Sequence, residues 1–163
     1  MNVTATMVKE LRDKTGAGMM DAKKALVEVD GDMEKAMEVL RQKGIASAEK
    51  KMGRIAAEGR VESYVDDNCG AVIELNCETD FVAKNDEFKE LASGLAEMVA
   101  KSNPADVAAL EAMTCPKCGK VIADVLKEKI ASIGEKITIR RFARYEGNVA
   151  SYIHNGKIGV LLE

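Results

Sequence analysis

The chain has 163 residues, 47% of them hydrophobic and 31% charged, with a formal net charge of −3 at pH 7, as is typical of a globular protein able to bury a core. This charge disfavours a broad nucleic-acid-binding surface, and no apolar run approaches the roughly 20 residues that a membrane span needs. Because the N-terminus also lacks a signal-peptide pattern, we expect a cytoplasmic protein without membrane or direct nucleic-acid contacts.

Apolar residues at helical spacing predict three helices in the first fifty residues, separated by Gly16, Gly31 and Gly44. Asp32 is the expected N-cap of the third helix, and Gly44 is its expected end. Three short helices bury little surface, so such a bundle more often serves for docking than for catalysis. The positions expected to face inward are Met7, Val8, Leu11, Ala22, Ala25, Leu26, Val29, Met33, Ala36, Met37 and Leu40.

A glycine-rich turn, GAGMMD at residues 16–21, precedes the second helix. It follows a helix instead of a strand and lacks the third glycine of a dinucleotide-binding loop, so we reject that function. The helical pattern favours Met19 and Met20 as core residues. Their exposure as adaptable contact residues, a role that suits methionine, is the second interpretation.

The pattern changes from helices to strands between residues 50 and 58. Residues 41–60 carry an excess of about four positive charges, as in a solvated helical connector. We therefore predict two domains, a helical one at residues 1–52 and a larger one at residues 53–163.

The segment NCETDFVAKN, residues 76–85, joins a predicted strand to a predicted helix. Asn85 is the expected N-cap of this helix. Phe81 belongs to neither pattern, and the residues alone favour a core position for it over a contact position. The strand is predicted from alternating Ala71, Ile73, Leu75 and Cys77, and the helix from Phe88, Leu91, Ala92, Leu95, Met98 and Val99.

Two segments of the larger domain repeat each other without a gap: VESYVDDNCGAVIEL, which begins at Val61, and VASYIHNGKIGVLLE, which begins at Val149. Each consists of two strand patterns around a polar turn, which predicts a hairpin. The second copy stops at Glu163, without the helix that follows the first copy. We therefore expect this sequence to be a C-terminally truncated part of a longer protein.

The four cysteines allow a metal site, a redox pair or unligated thiols. Cys115 and Cys118 have zinc-knuckle spacing in CPKCG, and Cys69 with Cys77 could complete a four-thiolate set. The seven residues between Cys69 and Cys77 are too many for a single knuckle, so unligated thiols are favoured.

Four stretches resemble the bacterial elongation factor Ts family in their sequence, order and approximate spacing: MVKELRDKTGAGMMDAKKAL (7–26), NCETDFVAKN (76–85), IGEKITIRRFARYEG (133–147) and SYIHNGKIGVL (151–161). The resemblance implies an α+β fold in which a three-helix, ubiquitin-associated-like bundle precedes an α+β core of antiparallel strands and packed helices. The core would have two similar halves, of which the second is incomplete here.

The resemblance also implies a function by protein contact, as a guanine-nucleotide exchange factor that promotes GDP release from elongation factor Tu in translation elongation. Such a protein is not an enzyme and needs no cofactor. The loop at Asp80 and Phe81 would insert beside the magnesium subsite of the partner, which reverses the interpretation of Phe81 from core to contact. The residues expected to contact elongation factor Tu, in its GDP-bound and nucleotide-free states, are Arg12, Met19, Met20, Lys23, Thr79, Asp80, Phe81, Val82, Ile133, Gly134 and His154.

Other function classes have less support. His154 is the single histidine, which disfavours Ser-His catalysis, and no phosphate-binding Gly-x-x-x-x-Gly-Lys loop is present. A zinc-bound or redox scaffold that uses Cys69, Cys77, Cys115 and Cys118 stays open, as does a helper module that binds ubiquitin-like proteins.

Overall fold

In a computed structural model that describes residues 2–163, the chain forms two compact units. The first unit extends to Gly53 and includes Lys127–Gly134, and the second consists of Arg54–Leu126 and Glu135–Glu163. The expected fold class is confirmed, because N-terminal helices precede an α+β part with antiparallel strands. The domain division at residues 52 and 53 stays a prediction. Among the described residues, no helix is both long enough and apolar enough to span a membrane.

Three N-terminal helices, α1 (Ala5–Thr15), α2 (Met19–Glu28) and α3 (Met33–Lys51), pack around a small apolar core. The predicted Asp32 cap of α3 is confirmed, since its side chain accepts a hydrogen bond from the backbone N–H of Lys35. Helix α1 ends at Gly16, whose φ of 70° favours glycine. The buried residues of this core are Val8, Leu11, Ala22, Ala25, Leu26 and Ala36.

The predicted end of α3 at Gly44 is wrong, because the helix continues to Lys51. Gly44 serves close packing instead of termination. A Cβ atom built on Gly44 would lie 3.2 Å from Cβ of Ala131, a contact tighter than side chains normally make. A glycine in a helical pattern commonly marks the end of the helix, but it can also mark the close approach of another segment.

The second unit contains a three-stranded antiparallel sheet in the order β1-β2-β3 and a separate hairpin, β4-β5. The strands are β1 (Glu58–Val65), β2 (Cys69–Cys77), β3 (Thr138–Glu146), β4 (Ala150–His154) and β5 (Ile158–Leu162). The remaining helices of the chain are α4 (Asp80–Ala83), α5 (Asp86–Ser102), α6 (Val107–Ala112) and α7 (Ile122–Ile133).

Helix α5 covers one face of the three-stranded sheet. The alternation predicted for β2 is confirmed, because the four residues predicted to face inward are buried: Ala71, Ile73, Leu75 and Cys77. Asn85 caps α5 as expected, since its Oδ1 accepts a hydrogen bond from the backbone N–H of Glu87 at 2.8 Å. The buried residues of α5 include Phe88, Ala92, Leu95, Met98 and Val99.

Both predicted hairpins are present, β1-β2 and β4-β5, and they pack on each other within the second unit. The equivalent residues Ser63 and Ser151 meet, with 2.9 Å between their Oγ atoms. The pairing differs by one residue between the copies: Tyr64 is paired with Ala71, whereas Tyr152 is paired with Val160. The second turn has left-handed φ angles at Asn155 and Gly156, and such turn geometry sets the register of a hairpin.

Candidate partner-binding site

The segment that was expected to be a loop between β2 and α5 contains a one-turn helix, α4. Thr79 is its N-cap, and the Oγ1 atom of Thr79 accepts a hydrogen bond from the backbone N–H of Val82 at 3.4 Å. Ala83, on the inner side of the turn, is buried. The turn therefore presents Asp80 and Phe81 from an ordered backbone.

A carboxylate from a distant part of the sequence holds the start of this turn. Glu135 accepts hydrogen bonds from the backbone N–H groups of Glu78 and Thr79, at 3.2 and 3.0 Å. The hydroxyl of Thr79 donates a third, to Oε2 of Glu135 at 2.8 Å. Glu78 in turn accepts a bond from the backbone N–H of Lys136 at 2.7 Å. Hydrogen bonds to ionised groups are the stronger ones, so this double connection fixes the turn.

Phe81 lies almost wholly in solvent, with 83% of its surface exposed. The core position that the residue pattern favoured is therefore wrong, because α4 points this ring away from the buried side of the turn. The Phe81 ring offers apolar surface to a partner protein. Because hydrogen bonds already fix its backbone, burial of the ring by a partner would cost little conformational entropy.

Asp80 is half-exposed beside Phe81 and accepts a hydrogen bond from Nζ of Lys84 at 3.1 Å. This hydrogen bond and the charge of Lys84 hold the pKa of Asp80 below its usual range. The carboxylate is therefore ionised at neutral pH, directly next to the apolar ring.

Four further candidates lie in the first unit, on α1 and α2. Arg12 and Lys23 are exposed, and Met19 and Met20 are 48% and 64% exposed. The core position favoured for the two methionines is wrong: α2 begins at Met19, and its inward positions are Ala22, Ala25 and Leu26. The exposure of the methionines leaves both of them available for a contact.

Ile133 and Gly134 form the end of α7 and also belong to the first unit. Gly134 has a φ of 85°, and its N–H donates to the carbonyl of Ile130 at 2.9 Å, which ends the helix in the way that a left-handed glycine commonly does. Ile133 is half-buried.

His154 ends β4 in the second unit and is exposed. Its Nδ1 lies 2.9 Å from the hydroxyl oxygen of Tyr152, and its Nε2 lies 3.3 Å from Nδ2 of Asn155. The same face of the hairpin carries an exposed apolar row: Tyr152, Ile158, Val160 and Leu162.

The four-cysteine scaffold is contradicted by the geometry. Cys69 and Cys77 are the two ends of β2 and are both buried. At about 3.3 Å per residue, these ends lie roughly 26 Å apart, whereas sulfurs around one zinc ion lie within about 5 Å of each other. Residues 2–163 contain no group of three or more His, Cys, Asp or Glu side chains that could hold a metal ion.

Burial, and then the charge of Glu135, raise the pKa of Cys77 to about 11, so this thiol is unreactive at neutral pH. Glu135 is the functional candidate that the sequence did not indicate. It stands 56 residues from Thr79, and a single glutamate among many gives no pattern. Its position after Gly134, within a stretch that resembles the family, was the only available signal.

Comparison with known proteins gives one consistent result. The sequence model described as "Elongation factor TS" matches residues 78–163. Proteins named "Elongation factor Ts" are similar over nearly the whole chain: that of Syntrophotalea carbinolica is 52% identical over 167 residues, covering 100% of this chain and 55% of the relative. Those of Clostridium perfringens and Burkholderia mallei are each 54% identical, covering 99% of this chain and 55% of the relative. The chain thus spans about half the length of these relatives.

Proposed function

The chain belongs to the elongation factor Ts family, and from that premise we propose that it promotes the release of GDP from elongation factor Tu. It acts as a guanine-nucleotide exchange factor by binding to its partner in the GDP-bound and nucleotide-free states. It catalyses no chemical reaction and works in the cytoplasm, where translation elongation takes place.

The observation that carries this proposal is the exposed Phe81 ring on the ordered turn α4. A ring that is 83% exposed contributes little to the core of its own protein, and an aromatic anchor is typical of the residues that dominate interfaces. Thr79 and Val82 hold the turn that carries the ring: Thr79 is fixed through Glu135, and the backbone N–H of Val82 donates to the Thr79 cap.

In the proposed mechanism the Phe81 ring enters the partner beside its magnesium subsite, where the coordination of Mg²⁺ holds the phosphates of GDP. A small displacement at that subsite weakens nucleotide binding. The effect is reciprocal, because any loss of GDP affinity caused by this chain equals the loss of its own affinity caused by GDP. Asp80 places a negative charge next to the ring and enters the same subsite.

We assign the remaining exposed candidates to supporting contacts. Met19 and Met20 on α2 are exposed apolar side chains, and Arg12 on α1 and Lys23 on α2 are exposed basic ones, a combination that suits docking on a helix of the partner. Ile133 and Gly134 make a further contact from the first unit, and His154 makes a separate one from the second unit. Contacts of this kind bring affinity, whereas the ring at position 81 brings exchange.

The direct test is GDP release from elongation factor Tu, measured with a fluorescent GDP analogue and an excess of unlabelled nucleotide. We expect a faster release when the chain is added, to an extent that saturates with its concentration. An unchanged release rate, with complex formation demonstrated by gel filtration, would limit the chain to binding and contradict the proposal.

A further inference from the structure

The proposed function makes no use of a cysteine turn between α6 and α7. Thr114 and Val121 form an isolated antiparallel bridge, and the chain between them folds back as a tight turn. The backbone N–H of Cys115 donates to the carbonyl of Lys120 at 2.7 Å, and that of Gly119 donates to the carbonyl of Cys115 at 2.8 Å. Gly119 has a φ of 70°, a conformation that favours glycine directly after Cys118.

This turn brings two free thiols together at the surface. Cys115 is partly exposed and Cys118 is exposed, in contrast to the two buried cysteines of β2. The Cys118 side chain makes a hydrogen bond to that of Cys115, and the backbone N–H groups of Cys118 and Lys117 also donate to the Cys115 sulfur. N–H groups that point at a sulfur stabilise a thiolate, and such contacts orient the cysteine ligands of metal sites.

We propose that Cys115 and Cys118 form a two-thiolate site for a thiophilic divalent cation, of which Zn²⁺ is the representative. Two sulfurs on a turn with the spacing Cys-x-x-Cys are half of a tetrahedral zinc site. Each ligating thiol exchanges its S–H proton for a sulfur–metal bond, so one proton is released for each thiol that binds and no oxidant is needed. This site is independent of GDP release and of the contradicted four-cysteine scaffold.

Two coordination positions stay open, and either water or the same turn of a second copy can fill them. The turn is accessible to both, since residues 116–119 are all exposed. A centre with four thiolates around Zn²⁺ carries a charge of about −2. Lys117 of each copy would lie next to that charge, which favours the second arrangement electrostatically.

The test uses the whole chain, reduced with a phosphine, and Co²⁺ as a spectroscopic probe. We expect a sulfur-to-cobalt charge-transfer band that saturates with Co²⁺ and disappears when Zn²⁺ is added. Zn²⁺ should also protect Cys115 and Cys118 from a chromogenic disulfide reagent. One metal per chain in a monomer would identify water as the other ligand, and one metal per two chains in a dimer would identify the second turn. Both outcomes support the site.

Single substitutions make the assignment specific. Because outer-shell partners already contribute about 10–100-fold to metal affinity, Cys118→Ser and Cys115→Ser should each weaken Co²⁺ binding by at least about a hundredfold. Cys69→Ala, which removes a buried thiol, is the matched control and should bind Co²⁺ like the original chain, with circular dichroism to verify folding of each variant. The proposal is overturned if the original chain gives no charge-transfer band with its thiols reduced, or if the Cys118→Ser variant binds equally well.

Discussion

At the scale of single residues, two phenylalanines that are seven positions apart differ in their burial. Phe88 is fully buried under the sheet, whereas Phe81 is 83% exposed. The same side chain therefore serves folding at one position and is free for contact at the other. Sequence alone could not separate them, since burial depends on which side of α4 faces the sheet.

We predict that Phe81→Ala leaves the free energy of unfolding within about 0.5 kcal/mol of the original chain, as is usual at exposed positions. The matched variant Phe88→Ala should cost about 3–5 kcal/mol, as truncations of buried phenylalanine do. Denaturant unfolding followed by circular dichroism measures both. A large destabilisation by Phe81→Ala would show that the ring packs against its own protein.

Asp80→Ala should reduce GDP release with only a small cost in stability, because the ion pair with Lys84 is exposed. Lys84 lowers the pKa of Asp80 in the folded protein. The stabilisation by this ion pair is therefore complete above the ordinary aspartate pKa of about 3.9, and it disappears as the pH falls through the lower pKa of the folded protein. The difference in free energy of unfolding between the original chain and the variant should therefore disappear at low pH. A difference that persists at pH 2 would assign the effect to packing.

At the scale of elements, periodic patterns were predictable and long-range contacts were not. The buried face of β2 and the Asn85 cap of α5 follow from local spacing. The continuation of α3 through Gly44 depends on close packing against Ala131. The register of β4-β5 depends on turn angles that two similar sequences do not share. In both cases, a partner that is distant in sequence, or the turn itself, decides a feature that the local pattern does not contain.

The turn α4 depends on Glu135, so we predict that Glu135→Ala loosens it. One hydrogen bond to a carboxylate contributes about 1.5–3 kcal/mol, so the loss of three should cost at least that much and slow GDP release even at saturating concentration. Glu135→Gln keeps one acceptor oxygen, so its free energy of unfolding and its rate of GDP release should fall between those of the original chain and of Glu135→Ala. Full exchange activity in a folded Glu135→Ala variant would show that the turn orders itself without this anchor.

At the scale of the whole molecule, the outer face of the β4-β5 hairpin carries a row of exposed apolar side chains. Tyr152, Ile158, Val160 and Leu162 are each more than half exposed and share one face. An apolar row on a two-stranded hairpin with unpaired edges is an aggregation hazard.

We predict that the chain associates at high concentration and that Val160→Lys with Leu162→Lys suppresses this association. The matched control is Val27→Lys, which changes an apolar residue that is 58% exposed on α2. Light scattering against concentration distinguishes the variants. Equal scattering by all three chains would show that the hairpin face is not the cause.

In the proposed mechanism, Phe81 drives exchange and not merely binding. The most direct measurement is the rate of GDP release from elongation factor Tu at saturating concentrations of folded Phe81→Ala, with Tyr145→Ala, another exposed aromatic residue, as the control. We expect Phe81→Ala to bind the partner but to release GDP at least about tenfold more slowly, equivalent to about 1.4 kcal/mol, while the control keeps the original rate. A normal rate with Phe81→Ala would contradict the account.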